Sequence, residues 1–245
     1  MKTRLFVLLL FLTSCTATKY FRKLDKEERE AVRKNKKWVK ASKHEAHVLI
    51  MTTKGNMVVK LFNETPLHRD NFIAKVSTGF YDSLLFHRVI NKFMIQGGDP
   101  ESKYPTPDKS LGAGGAPGER IPAEFRTEQG LYHKRGALAA ARTNNPEKAS
   151  SNSQFYIVQR HPWRMSELDS MMQTRKLTLN EAQKQLYTTI GGTPHLDGGY
   201  TVFGELLTGF NTLDSIAASP TKKDLPVNEI RMRMFLLNKP KFKKN

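Results

Sequence analysis

Short apolar runs separated by turn residues occupy most of the chain from residue 46 onward. Residues 47–53 and 57–62 are rich in β-branched and large apolar side chains and flank a Lys54-Gly55-Asn56 turn, which predicts a β-hairpin. Their lengths are typical of strands, and Gly, Pro and charged residues interrupt them. Similar runs follow at 86–90, 93–96, 136–141 and 154–159. The pattern predicts a mainly β domain.

Helical patterns occur in two places. Thr65-Pro66 offers an N-cap and a first-turn proline for a helix that carries Phe72, Ile73 and Val76 on one face and ends at Gly79. Residues 166–169 and 178–181 both match the capping-box pattern, and Gly191-Gly192 follows the second match. They predict a helical hairpin within residues 161–193. Its second helix would place four apolar residues on one face, namely Leu179, Ala182, Leu186 and Ile190.

Residues 86–99 place one cation and one amide among large apolar side chains. Two adjacent strands there would bring Arg88, Phe93, Met94 and Gln96 close together. An unpaired buried charge is very costly, so the arginine must be hydrogen-bonded or partly solvated. The stretch therefore predicts an apolar pocket whose polar edge offers a charge to a ligand.

These residues carry a family resemblance. Phe-His-Arg-Val-Ile at 86–90, followed by Phe-Met-Ile-Gln-Gly-Gly-Asp at 93–99, resembles a signature of the cyclophilin-type peptidyl-prolyl isomerases, and Ser-Gln-Phe-Tyr-Ile at 153–157 resembles a second one. The resemblance covers residues 46–238. It implies a closed, antiparallel, eight-stranded β-barrel whose later strands lie at 200–206 and 229–237. Two helices would cap the barrel, the second at 209–217, and 161–193 would be an inserted helical hairpin.

The resemblance also implies the activity and the site. X-Pro peptide bonds would be isomerised without covalent chemistry, cofactor or metal, because rotation about the amide only needs its twisted form to be stabilised. Arg88, a fixed and permanently charged fork, would donate to the amide nitrogen, with Gln96 and His87 beside it. The implied substrate-binding residues are Phe93, Met94, Tyr156 and Leu196 around the proline, Gln154 on a substrate carbonyl, Ala141, Arg142 and Thr143 along the peptide, Gly112 at the groove edge, and His195 and Tyr200.

Several of these positions depart from the family pattern. Arg142 and Thr143 stand where many members have Asn and Ala, and Tyr200 stands where many have His. Tyr156 replaces Phe, so a hydroxyl narrows or polarises the pocket floor. His195 replaces the Trp of many eukaryotic members, which predicts weak cyclosporin binding because the indole's area and hydrogen bond are missing. Nanomolar binding in calorimetry would contradict that expectation.

The N-terminus has the pattern of an export signal. Lys2 and Arg4 precede an apolar run at 5–12, and residues 1–14 are predicted to be a signal peptide. Leu12-Thr13-Ser14-Cys15 resembles a bacterial lipobox, which implies lipidation of Cys15. An ordinary signal peptide with an incidental cysteine is the alternative. Cys15 is the single cysteine, so no internal disulfide can form.

Charge suggests a membrane surface as a partner. The formal net charge is +17, and residues 16–45 hold eleven Lys or Arg against five Asp or Glu. We expect residues 15–45 to be a basic tether that lies against an anionic membrane or serves as a solvated spacer, and 239–245 to be a basic tail. His44 and His47 are expected to be ordinary surface histidines. No recognised nucleic-acid module accompanies the charge.

The leading hypothesis is a lipid-anchored, periplasm-facing, monomeric peptidyl-prolyl isomerase of the cell envelope that assists the folding of exported proteins. A different class of function is also possible, a non-catalytic proline-peptide binding module or chaperone on the same fold. A third hypothesis, a basic nucleic-acid binder, would require a salt-sensitive gel shift near physiological ionic strength.

Overall fold

The computed structural model describes residues 45–106 and 110–237, together with Lys26 and Glu30, which are exposed on a helix near the N-terminus. The predicted signal peptide, Cys15, His44, nearly all of the tether and the basic tail lie outside the described residues. Within the described ranges the chain forms ten β-strands and four α-helices. The strands are β1 (Ala46–Thr52), β2 (Gly55–Leu61), β3 (Phe86–Ile90), β4 (Met94–Gly97), β5 (Ala137–Ala140), β6 (Phe155–Val158), β7 (Val202–Thr208), β8 (Thr221–Lys222), β9 (Leu225–Pro226) and β10 (Met232–Leu236).

Eight of these strands form one antiparallel sheet in the order β10-β1-β2-β7-β5-β6-β4-β3, and β8 pairs with β9 in a separate hairpin. The two edges of the large sheet approach each other just before β3 and β10, where Leu85 and Arg231 form an antiparallel bridge. There the Phe86 N–H donates to the Ile230 carbonyl and the Met232 N–H donates to the Leu84 carbonyl, both at 2.9 Å. The mainly β architecture predicted from the sequence is confirmed.

The strands near the site are apolar on both faces because both faces are covered. Alternate residues of a strand point to opposite sides of the sheet. On one side Ile95, Leu138 and Ile157 join the main core, and on the other Met94, Tyr156 and Val158 belong to a second cluster. His47 is only 3% exposed, so its expected surface position is wrong: it belongs to β1, an inner strand of the large sheet, and not to the tether.

The four helices are α1 (Pro66–Thr78), α2 (Met165–Arg175), α3 (Glu181–Thr189) and α4 (Phe210–Ala217). Helices α1 and α4 contribute to the main core through Phe72 and Val76 of the first and Leu213 and Ile216 of the second. Helices α2 and α3 instead pack around a small cluster of their own, which we call the helical-pair core; its buried members are Leu168, Leu179 and Tyr187. That the pair is an insertion relative to the family stays a prediction.

Helix α1 begins where predicted, but the side chain that bonds to its first N–H groups is Glu124 and not the predicted cap Thr65. Thr65 is the N-cap and makes no side-chain capping bond. The Glu124 carboxylate accepts the backbone N–H of Leu67 at 3.1 Å and that of His68 at 3.0 Å, and the His68 Nδ1 lies 2.7 Å away. Burial alone would raise the pKa of Glu124, but these bonds hold it below the ordinary value. A buried carboxylate from a distant loop thus satisfies the N–H groups that a helix start leaves unpaired.

The predicted caps of the helical pair are wrong in register. Helix α2 has Arg164 at its N-cap without a side-chain bond, so Ser166 lies inside the first turn. Helix α3 has a reciprocal capping box between Asn180 and Gln183, two residues later than predicted from Thr178. Its predicted apolar face is also partly wrong, since Ala182 and Ile190 are exposed and Tyr187 is buried. The packing of Tyr187 against the helical-pair core sets the rotation of α3.

Candidate functional site

A row of side chains crosses the outer face of four strands. Arg88 on β3 is opposite Gln96 on β4, Gln96 is opposite Tyr156 on β6, and Tyr156 is opposite Ala139 on β5. Residues directly opposite in antiparallel strands point to the same side of the sheet. Arginine, amide and aromatic ring are therefore neighbours because of strand register, although up to 68 positions separate them in the chain.

A cavity of about 150 Å³, with aromatic and aliphatic walls beside Arg88, Gln96 and Arg142, lies over this row. The turn between β3 and β4 supplies Phe93, and the 3-10 turn Pro194–Leu196 supplies Leu196. Met94 and Tyr156 are only 2% and 4% exposed and form its deepest wall. Every lining residue is one predicted from the sequence for this site: Arg88, Phe93, Met94, Gln96, Ala141, Arg142, Tyr156, Leu196 and Tyr200.

A second hollow of about 230 Å³ adjoins the first and shares Gln96, Ala141 and Arg142 with it. Its other lining residues come mainly from the glycine-rich segment 112–118 and from Thr143 and Gln154. The two hollows form one groove, in which a pocket walled by aromatic and aliphatic side chains continues along the glycine-rich segment. Such a groove suits an extended peptide with one ring-shaped apolar side chain.

The glycine-rich segment is fixed by two side chains beneath it. Gln154 Nε2 donates to the carbonyls of Gly112 at 2.9 Å and Gly114 at 2.6 Å, while its Oε1 accepts from Gln96 Nε2 at 2.9 Å. The buried Asp99 carboxylate accepts the Gly112 N–H at 2.5 Å. A Cβ on Gly114 would lie 2.3 Å from Asp99 Oδ1, so only glycine allows this approach. Sequence analysis gave Asp99 no role, although it ends the first signature.

Arg88 has an ion-pair partner that sequence analysis missed. Its Nε donates to Asp224 Oδ2 at 3.3 Å, and both side chains are 46% exposed. Asp224 lies in the turn between β8 and β9, and its carbonyl accepts the Val89 N–H at 2.7 Å. The hairpin is thereby attached to β3 beside the arginine. No local pattern marks this contact, since 136 positions separate the two residues.

Two predicted histidines lie beside the groove and are absent from the lining of either hollow. His87 is buried on the opposite side of β3 from Arg88, and a Cβ on Gly112 would lie 3.5 Å from its Nε2. His195 stacks on Phe93, with ring centroids 5.9 Å apart. Burial lowers the pKa of both imidazoles, which favours their neutral forms.

The mouth of the pocket carries a second cation. The Arg142 guanidinium lies 4.6 Å from the Tyr200 ring centroid, and its Nε donates to the Gly199 carbonyl at 2.9 Å. Tyr200 in turn meets Tyr156 edge-on at 6.0 Å. Arg142 and Tyr200, both departures from the family pattern, thus form one unit at the rim.

The hydroxyl of Tyr156 has a buried partner that sequence analysis also missed. It lies 2.9 Å from His133 Nε2, and His133 Nδ1 lies 2.8 Å from Asp197 Oδ1. Burial raises the pKa of Tyr156 well above that of an ordinary phenol. Asp197 follows Leu196 directly in the chain, but no sequence pattern links it to His133.

Metal-ligand clusters and membrane-spanning helices are absent from the part of the chain that the structure describes. Among residues 45–106 and 110–237, no three His, Cys, Asp or Glu side chains are grouped as metal ligands would be. None of the helices in these ranges has the length and apolar character needed to cross a membrane.

Comparisons with known proteins point to one family. The family model for cyclophilin type peptidyl-prolyl cis-trans isomerases matches residues 47–235. A Staphylococcus haemolyticus protein named as a peptidyl-prolyl cis-trans isomerase is 36% identical over 191 residues, which cover 76% of this chain and 88% of the relative. A Streptococcus pyogenes protein named as a bifunctional phosphatase and peptidyl-prolyl cis-trans isomerase is 37% identical over 189 residues, which cover 75% of this chain and 37% of that protein.

Solved structures agree. The crystal structure of a cyclophilin type peptidyl-prolyl cis-trans isomerase from Cryptosporidium parvum has a TM-score of 0.59 at 26% identity and covers 80% of this chain and 100% of its own. The structure of the same protein in the presence of the dipeptide Ala-Pro has a TM-score of 0.57 at 27% identity, covering 78% and 98% of the two chains.

Proposed function

The chain belongs to the cyclophilin-type peptidyl-prolyl cis-trans isomerases, and we propose that Arg88 is the residue by which it stabilises the twisted X-Pro amide. The observation that carries this proposal is the position of the guanidinium at the polar edge of the cavity, opposite Gln96 and anchored by Asp224.

Isomerisation needs no bond to be made or broken. The barrier of roughly 18–20 kcal/mol is the lost conjugation of the amide, and the twisted amide nitrogen becomes pyramidal and basic. A hydrogen bond from a permanently charged donor to that nitrogen is therefore stronger in the transition state than in the planar ground state. Because Nε bonds to Asp224, the two Nη groups of Arg88 are the donors available to a substrate.

The other predicted roles belong to the same proposal. The proline ring enters between Phe93, Met94, Tyr156 and Leu196, and the preceding residues extend along 141–143 toward Gly112. Gln154 bonds to Gln96 and to the glycine-rich segment, so a substrate carbonyl would accept from an amide that is already oriented. His87 supports that segment from behind. The Ala-Pro dipeptide present with the Cryptosporidium parvum protein supports proline-containing peptides as ligands.

A direct test is exchange NMR on a short Ala-Pro peptide with the purified protein. Wild type should speed exchange between the cis and trans forms and so broaden their signals. Arg88→Ala should slow this catalysed exchange by one to three orders of magnitude, a loss of about 1.4–4 kcal/mol of transition-state stabilisation. Arg88→Lys should rescue only part of this, because an ammonium lacks the fixed fork. Arg164→Ala, which removes an exposed arginine outside the groove, is the matched control.

The alternative function gives a different result in the same experiment. A non-catalytic proline-peptide module would bind the peptide, shifting its signals, while wild type leaves the exchange rate unchanged. Equal catalysis by wild type and Arg88→Ala would instead keep the isomerase activity and remove Arg88 from its mechanism.

The cellular setting is a further part of the proposal. The predicted signal at 1–14, the lipobox-like Leu12-Thr13-Ser14-Cys15 and the basic 15–45 segment support a lipid-anchored protein of the cell envelope that faces the periplasm and acts on exported proteins. Wild type should then carry acyl chains on Cys15 by mass spectrometry and sediment with membranes, and Cys15→Ser should become soluble. An unmodified Cys15 in the mature protein would contradict the anchor.

Two finer features of the fold are proposed with it. The hydrogen bonds between the segments before β3 and β10 support closure of the sheet into a barrel, and the separate core of α2 and α3 supports their origin as an insertion. If the barrel is closed, the Phe86 and Met232 amides should exchange with solvent as slowly as those of the central strands. Fast exchange at these two amides alone would indicate an open edge.

A further inference from the structure

The hydroxyl of Tyr156 is the near end of a buried hydrogen-bond chain that leads from the groove to helix α3. We infer that Tyr187, Asp197 and His133 are positioning residues that orient Tyr156 at the floor of the cavity, so that the helical pair shapes the site for the proline ring. The inference rests on the proposed role of this cavity as the proline pocket. We call the four side chains the Tyr187–Tyr156 chain.

The first step is the need of Tyr156 for a partner. Its ring lines the cavity, yet the residue is 4% exposed, so its hydroxyl is out of reach of bulk water. A buried hydroxyl without a hydrogen bond costs on the order of 1–3 kcal/mol. His133 Nε2, at 2.9 Å, supplies that bond on the side of the ring away from the groove.

The second step concerns the tautomer of His133, which is 1% exposed. Its Nδ1 lies 2.8 Å from Asp197 Oδ1, and the same oxygen accepts the His133 backbone N–H at 2.8 Å. An ionised carboxylate can only accept, so Nδ1 carries a proton. In the neutral ring Nε2 is then the acceptor, and the Tyr156 O–H donates to it. The hydroxyl hydrogen is thereby directed away from the proline site.

The third step reaches the helical pair. Asp197 Oδ2 accepts the hydroxyl of Tyr187 at 2.5 Å. Tyr187 lies on α3, is fully buried, and packs with Leu168 and Leu179 in the helical-pair core. The two oxygens of Asp197 therefore have different partners: Oδ1 bonds to His133 behind the pocket, and Oδ2 bonds to Tyr187 on α3. A change in the helical pair acts on the pocket floor through this carboxylate.

The expected consequence is a change in substrate binding more than in the rotation step. If Asp197 cannot hold the tautomer, the Tyr156 hydroxyl loses its acceptor and seeks another partner in the cavity, where it competes with the apolar proline ring. Tyr200 would move with it, since its ring meets both Tyr156 and His133 edge-on. Arg88 lies at the other edge of the cavity and keeps its own anchor.

The test is a double-mutant cycle in the full purified protein, with KM and kcat for an Ala-Pro peptide taken from exchange NMR. Asp197→Ala, which removes the acceptor of Nδ1, should raise KM about tenfold and change kcat less than about twofold when Tyr156 is present. In the Tyr156→Phe background, which has no hydroxyl to orient, the same change should raise KM less than about twofold. An equal rise in both backgrounds would overturn the inference and leave Asp197 a merely structural residue.

Two further variants separate orientation from stability. Tyr187→Phe removes the bond from α3 and should raise KM about threefold. Tyr81→Phe makes the same chemical change at a buried tyrosine that is not part of the Tyr187–Tyr156 chain, since its hydroxyl donates to the Ser153 carbonyl. This variant should lower the free energy of unfolding without raising KM. A rise in KM that follows the loss of stability across both variants would contradict the inference.

The tautomer itself can be observed without activity. In a nitrogen-detected imidazole spectrum of wild type, His133 Nε2 should be the unprotonated nitrogen, and Asp197→Ala should change that pattern. A protonated Nε2 in the neutral ring of wild type would overturn the inference even if catalysis is normal. Absence of catalysis with the expected tautomer would instead contradict the proposed function, so the two failures are distinguishable. If Asp197→Ala does not fold, Tyr187→Phe and the wild-type spectrum decide.

Discussion

Asp224 illustrates how a functional side chain can depend on one residue far away in the sequence. It holds Arg88 Nε from a two-residue turn in which both Lys223 and Asp224 have left-handed backbone, with φ of 52° and 67°. The pair is half exposed, so its direct contribution to stability is at most about 1 kcal/mol. Its importance lies in fixing which donors of the guanidinium face the groove.

We expect Asp224→Asn to lower kcat about three- to tenfold, roughly 0.7–1.4 kcal/mol, with little change in KM. Asparagine tolerates the left-handed backbone, so the turn should survive while the charge that anchors Arg88 is lost. Exchange NMR on the Ala-Pro peptide measures the effect. Glu229→Gln removes an exposed carboxylate whose ion pair is with Arg231, and it should leave both constants unchanged. Unaltered catalysis by Asp224→Asn would contradict a positioning role.

At the scale of elements, the strands were predictable and the caps were not. Short apolar runs bounded by turn residues predicted most strand positions to within one or two residues, since burial extends all along the element. A capping box depends on four residues only, and both 178–181 and 180–183 fit the pattern. The packing of Tyr187 decides between them and makes Asn180 the N-cap instead of Thr178. The Glu124 cap of α1 was unpredictable because it comes from 57 positions away.

Glu124→Gln should lower the free energy of unfolding by about 2–3 kcal/mol, because charge-assisted bonds to two N–H groups and an imidazole are weakened in a buried place. Helix α1 carries Phe72 and Val76 into the main core, so the loss is global. Urea unfolding at pH 7 measures it. Glu128→Gln, an exposed change in the neighbouring 3-10 turn, should cost less than about 0.5 kcal/mol. Equal stability of Glu124→Gln and wild type would contradict the capping role.

At the scale of the whole molecule, the two signature stretches predicted the cavity because they supply β3, β4 and β6, and the register of these strands brings Arg88, Gln96 and Tyr156 together. The contacts that complete the site come from elsewhere: Asp224 from the β8–β9 hairpin, His133 from a loop, and Tyr187 from the helical pair. They depend on three-dimensional closure of the chain, which local periodicity does not contain. The same closure buries titratable groups in separate regions and so makes the stability of the molecule sensitive to pH.

Because burial disfavours the charged form of several histidines, lowering the pH should destabilise the folded protein at pH values well above those at which carboxylates titrate. Burial lowers the pKa of His47 in β1, His87 in β3 and His195 at the pocket below 6.5. Between pH 6.5 and these lowered values the unfolded chain binds more protons than the folded one, so the free energy of unfolding falls as pH falls. Glu124, Glu205 and Asp214 have lowered pKa values as well, and their contribution is lost only below about pH 4.5.

We therefore expect the urea midpoint to fall steadily from pH 7 to pH 5, with His87 alone contributing up to about 1.4 kcal/mol per pH unit in that window. His87→Phe keeps a buried ring of similar shape without a titrating group, so its stability curve should be flatter by that amount. His161→Gln changes an exposed histidine and should leave the slope as in wild type. If the curves of unfolding free energy against pH are parallel for His87→Phe and wild type, burial does not force the His87 imidazole to stay neutral. The acid sensitivity must then come from His47 and His195 or from the large positive charge of the chain.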